Sequence, residues 1–244
     1  MADDIASSDG KIIKTGGTIL PSGAVIVFRD SLYTDSSGID FYIDFGPLGT
    51  TAPYGMLCED GRYRAGKLNI TVSQPYKSIG TVIMVNIADE DSFHVGNSID
   101  MYQLMGNKKI TKTSEKNMDI EVSNANLKSK KGGKFSHEIA WGCIGTIERT
   151  HDEGPGIWKD QFRITGTSNG TNRNGEKFTV TIDSPLLKKV EPGCHHTFVL
   201  GIQTLTNTVS NQKITIDYDP NKDGACDESA EANINGKKTI FEVK

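Results

Sequence analysis

Apolar residues in this chain recur at every second position in stretch after stretch, and nowhere at the three-and-four spacing of a helix. Leu68–Val72 (LNITV), Met118–Val122 (MDIEV) and Lys177–Ile182 (KFTVTI) each alternate apolar with polar. That period puts one apolar and one polar face on a pleated strand. Thr81–Ile87 (TVIMVNI) is continuously apolar instead, as expected for a strand covered on both faces. Turn chemistry separates these runs. Gln161–Ser168 and Lys177–Ile182 flank Asn169-Gly170-Thr171-Asn172-Arg173-Asn174-Gly175, and Asn235-Gly236 joins Ala230–Asn235 to Lys238–Val243. Asn-Gly supplies the positive φ that a tight hairpin needs.

Further strands are expected at Ile99–Met105 and Lys108–Thr113 around Gly106-Asn107, and at Lys134–Ala140 and Cys143–Thr150 around Trp141-Gly142. Two more are expected at His195–Thr206 and Lys213–Asp219. The pattern predicts an all-β, antiparallel meander of about 12–15 strands, built as a sandwich or an extended curved sheet. Residues 1–22 read as a flexible N-terminal tether with at most a short strand at Lys11–Lys14. Residues 23–244 form the β-rich region, divisible into two similar halves at about 23–140 and 141–244.

The balance of 27 basic and 31 acidic residues gives a net charge of −4. Lys128-Ser129-Lys130-Lys131 is too short a basic patch to imply nucleic acid, and reads as a solvated loop. No run reaches the roughly 18 apolar residues of a membrane-spanning helix. The opening Met1–Gly10 is small, polar and acidic, and reads as the tether of a mature protein.

Cys58, Cys143, Cys194 and Cys226 show no CxxC spacing, which argues against a thiolate zinc site. Cys194 opens one late strand and Cys226 lies beside another, near one end of the same sheet. A Cys194–Cys226 bridge would close a loop of about 33 residues and stabilise by about 3–4 kcal/mol. Four buried thiols are the alternative.

The strongest chemical candidate is the acidic turn after Lys213–Asp219. Asp219-x-Asn221-x-Asp223-Gly224, with Asp227 at the ninth position, matches the opening of a calcium loop, in which alternate oxygens converge on one hard cation. The twelfth position is Ala230, so the loop is not an EF-hand, and a polar turn bonding its own backbone is the competing reading. Gly166-Thr167-Ser168-Asn169-Gly170 fits G-x-S-x-G, but a hairpin follows it where a nucleophile elbow needs a helix. His195 and His196 would point to opposite faces of a strand and could not chelate one metal together. Asp89-Glu90-Asp91 reads as a solvated loop. Trp141, Trp158 and tyrosines such as Tyr42 and Tyr76 offer either a sugar-stacking platform or ordinary cross-strand packing.

Several of these segments together resemble a family of uncharacterised lipoproteins of the Bacteroidota. Ile43-Asp44-Phe45-Gly46, Cys58-Glu59-Asp60-Gly61-Arg62-Tyr63-Arg64-Ala65-Gly66-Lys67 and Gly80-Thr81-Val82-Ile83 carry the resemblance in the first half. Gly170-Thr171-Asn172-Arg173-Asn174-Gly175, Phe178–Ile182, Pro185-Leu186 and Gly224-Ala225-Cys226-Asp227 carry it in the second. The resemblance implies export and a lipid anchor upstream of residue 1, and it implies no activity. Asp219 and Asn221 lie in a stretch that is longer than the family pattern, so the resemblance adds nothing to the cation reading.

No catalytic constellation is legible, which favours a non-catalytic envelope or cell-surface module that binds a glycan, a lipid or an envelope protein. The alternatives are a calcium-stabilised glycan-binding or glycan-processing protein, and a carrier of lipid or another hydrophobic ligand. A hydrolase would show two carboxylates about 5–10 Å apart in a cleft. A hydrophobic-ligand carrier would show a curved sheet with an unfilled apolar concavity.

Overall fold

A computed structural model describes residues 18–19, 23–33, 38–58, 61–131, 138–151, 159–191, 194 and 198–243. Every regular element among them is a strand, and every strand pair with a defined register is antiparallel. The meander is open rather than closed as a barrel. The proposed tether lies outside the described residues, apart from β1 (Thr18–Ile19). The chain forms two compact units, one made of residues 1–115, 121–142 and 173–175 and the other of the remainder.

In the first unit, β2 (Val25–Asp30) pairs with β1 and with β3 (Ile39–Asp44). Ile39, Phe41 and Ile43 of β3 alternate inward, and all three are buried. β4 (Met56–Leu57) pairs with β5 (Tyr63–Ala65). Gly66 then turns the chain at φ +82° into β6 (Lys67–Val72), where a Cβ would strike the Ser92 carbonyl. One continuous segment thereby serves different partners. β5 pairs with β8 (His94–Gly96), while β6 pairs with β3 and β7 (Val82–Ile87).

Two expected strands around Gly106 are a single one, β9 (Met101–Lys112). Met101–Gln103 pair with β8 and Gly106–Thr111 with β7, so Gly106 (φ +126°) is a bend within a strand and not a turn. A Cβ there would come within 2.7 Å of the Ala125 backbone. The core of this unit mixes aliphatic and aromatic side chains, with Ile26, Ile43, Ile70, Ile83, Met101 and Phe41 essentially sealed from solvent and Phe45 packed on Phe93.

The strand expected at Met118–Val122 extends through the lysine patch as β10 (Asn117–Lys131). The strand runs on past Val122 with its apolar phase shifted by one residue at Asn124 (φ +53°), to Ala125 and Leu127; Lys128 is a strand residue, not a loop residue. Most of Lys134–Ala140 lies outside the described residues. Trp141-Gly142 does not interrupt β11 (Ile139–His151).

The second unit is a meander of β12 (Gln161–Thr171), β13 (Lys177–Lys189), β14 (Leu200–Asn207), β15 (Lys213–Asp217), β16 (Ser229–Ile234) and β17 (Lys237–Glu242). Each pairs with the next. Residues 195–197 of the strand expected at His195–Thr206 lie outside the described residues, and β14 begins at Leu200. Asn235 (φ +53°) and Gly236 (φ +85°) form the tight turn expected between the last two strands. A small core gathers on Leu186, Tyr218 and Ala230, with Ile164, Ile182, Phe198, Ile216 and Val243 packed against it. Phe198 meets Tyr218 edge-on at 5.2 Å.

Candidate functional site

Strand register sorts the second unit into two unlike faces. Ser168 opposes Val180, Val180 opposes Leu205, Leu205 opposes Ile214 and Ile214 opposes Ile234, all on one face. Directly opposed residues share a face. Ile182, Gln203, Ile216 and Ala232 form the next row of that face. The other face carries Thr179, Thr181, Asp183, Thr204, Thr206 and Thr215; Thr204 Oγ1 donates to Asp183 at 2.6 Å and lies 3.1 Å from Thr215 Oγ1.

The apolar face holds a groove of about 220 Å³. Gly145 and Gly166 form its floor, where β11 and β12 approach closely and the β12–β13 register shifts between Ile164 and Thr167. Ile120, Ile144, Ile147, Ile164, Val180 and Ile182 line it, together with Cys143, Ser168, Gln203 and the threonines Thr146, Thr165 and Thr167. None of the lining side chains carries a formal charge, and none is aromatic. Gln203 Nε2 donates to the Tyr218 hydroxyl at 2.8 Å, which ties the lining to the small core. Burial raises the Tyr218 phenol above its ordinary pKa, and the Gln203 hydrogen bond opposes that rise in part.

The volume decides what such a groove can hold. It exceeds the roughly 150 Å³ apolar cavity that accepts benzene. It falls short of the roughly 300–1,000 Å³ of a drug-sized pocket. A slender, uncharged aliphatic group fits this space and this lining.

The carboxylates of the acidic turn bond the turn's own backbone. Both Asp219 carboxylate oxygens accept backbone amides, Oδ1 from Asp223 at 3.0 Å and Oδ2 from Gly224 at 3.2 Å. Asp223 Oδ1 accepts from Ala225 N and Asp227 Oδ1 from Ser229 N. Asn221 is exposed beside them. Among the described residues no three acid, histidine or cysteine side chains are grouped as a metal would require. Lys189 Nζ donates to the Gly224 carbonyl at 2.9 Å and holds the turn against β13.

The disulfide is present: Cys194 and Cys226 are bridged, with their Cα atoms 5.4 Å apart. Ser168 lies within strand β12, with no helix behind it. His195, His196 and Trp158 lie outside the described residues. Asp89 and Asp91 are not merely solvated. Gln103 Nε2 donates to Asp89 at 2.7 Å, and Asp91 accepts from Asn69 Nδ2 at 2.7 Å and from Ala88 N at 2.9 Å. Tyr42 lies under Arg29 and Lys67, and Trp141 is half-buried within β11.

The groove was not foreseen from the sequence, although a signal for it exists. Glycine inside an alternating strand marks a bulge or a close backbone approach, and Gly145 and Gly166 both stand at such positions. No family model matches the chain, and no curated protein or solved structure is significantly similar to it.

Proposed function

We propose that this protein is an exported, non-catalytic binding module whose second unit receives an aliphatic chain, such as the acyl chain of a lipid. The carrying observation is the groove over Gly145 and Gly166, lined by isoleucines, Val180 and uncharged polar side chains, with neither charge nor aromatic ring in its lining. The missing aromatic platform weighs against a glycan at this place, and the missing carboxylate weighs against acid–base hydrolysis there. The Cys194–Cys226 bridge supports an oxidising compartment, and with it export.

Each methylene moved out of water contributes about 0.8 kcal/mol, so affinity should rise roughly fourfold per added carbon. Fatty acids of increasing length, competing for a fluorescent acyl probe on the whole chain, should show that rise and then a plateau when the groove is full. Val180→Arg should abolish binding, while Thr181→Arg on the opposite face should not. Equal binding by wild type and Val180→Arg, or no saturable binding at all, overturns the proposal.

A further inference from the structure

Strand β17 ends the meander of the second unit. It is in register with β16 on one side, and among the described residues no strand is in register with it on the other. All six of its residues are exposed. Val243 N donates to Glu228 O at 2.8 Å, so odd-numbered residues here direct their backbone groups to β16. Hydrogen-bonding direction alternates along a strand, so Lys238, Ile240 and Glu242 direct theirs outward. An edge of this kind is a template for another strand.

The side chains on those three residues indicate which strand. Lys238, Ile240 and Glu242 share the face of Asn233, Glu231 and Ser229, where Lys238 Nζ pairs with Glu231 of its own chain at 2.8 Å. Ile240 is 63% exposed on that otherwise polar face. Lysine commonly blunts an edge by repelling a second copy, but here a glutamate stands the same distance beyond Ile240 as Lys238 stands before it. We infer that β17 pairs antiparallel with β17 of a second copy of this chain, about a two-fold axis through Ile240.

In this register Ile240 opposes the partner's Ile240, and Lys238 and Glu242 oppose the partner's Glu242 and Lys238. All three outward-directed residues form hydrogen-bonded pairs, and both faces stay in phase across the junction. On the other face Thr239 opposes the partner's Phe241, covering a ring that is 37% exposed. The contact is self-complementary, as a two-fold interface must be. It is independent of the groove reading.

Sedimentation of the whole chain over a concentration series tests this. The wild type should convert from monomer to dimer, and Ile240→Lys should remain monomeric, with the melting temperature of the wild type at concentrations where both are monomers. Lys238→Glu should dissociate the dimer, and adding Glu242→Lys should restore it. Ile240→Cys should cross-link two copies under mild oxidation, because the opposed Cα atoms of a hydrogen-bonded pair lie about 5.5 Å apart, within disulfide reach. A wild type that stays monomeric throughout, or a charge swap that fails to restore the dimer, overturns the inference.

Discussion

Gly166 lies against Gly145: a Cβ on Gly166 would come within 2.7 Å of the Gly145 Cα, and its φ is +148°. The close approach of β11 and β12 that floors the groove depends on both residues lacking a side chain. Gly166→Ala must either push the strands apart or strain the backbone. A loss of about 1–3 kcal/mol by urea denaturation is expected, together with weaker acyl-probe binding. Gly175→Ala, in a turn with nothing within 4 Å, should leave probe binding unchanged.

The disulfide joins an exposed cysteine in the acidic turn to a buried one, 32 residues apart in sequence. The Cys194→Ser/Cys226→Ser double substitution should cost about 3–4 kcal/mol by the loop-closure relation. Denaturation with and without reductant checks this, and the double variant should no longer respond to reductant.

Arg149 and Asp160 form a 2.6 Å ion pair in which the aspartate is 1% exposed. Removing one partner strands a buried charge. Arg149→Met, which leaves the sealed Asp160 carboxylate without its cation, should destabilise by about 3 kcal/mol, and the Arg149→Met/Asp160→Leu pair by much less. A double-mutant cycle measures the difference.

Tyr218 sets an alkaline limit. Burial raises its folded pKa above that of the unfolded chain, so the folded state holds the phenolic proton more tightly. Its contribution is therefore complete below the unfolded phenol pKa near 10, and is lost as pH rises through the folded value. Tyr218→Phe should flatten the fall in stability above that pH. At neutral pH it should cost about 1 kcal/mol for the hydrogen bond from Gln203.

The Asp219 carboxylate holds two backbone amides of its own turn. Asp219→Ala should lower stability by about 1–2 kcal/mol. Thermal melts in calcium and in chelator should show the same loss. A loss confined to the calcium sample would favour the cation reading of Asp219, Asn221, Asp223 and Asp227.

Alternation and turn chemistry are local properties, and they alone determined the antiparallel all-β class, the hairpin between β12 and β13 and the Asn235-Gly236 turn. What needed the fold was everything set by register. Gly106 and Trp141-Gly142 look like breaks in sequence, yet both lie within strands, because neighbouring strands supply the hydrogen bonds that carry β9 and β11 through them. The groove joins Ile120, Gly145, Gly166 and Val180, residues on four strands, and no spacing along one strand specifies which residue of the next will face it. The acidic turn illustrates the same limit. A row of carboxylates fits either a cation or a set of backbone amides, and the path of the chain brings amides to them.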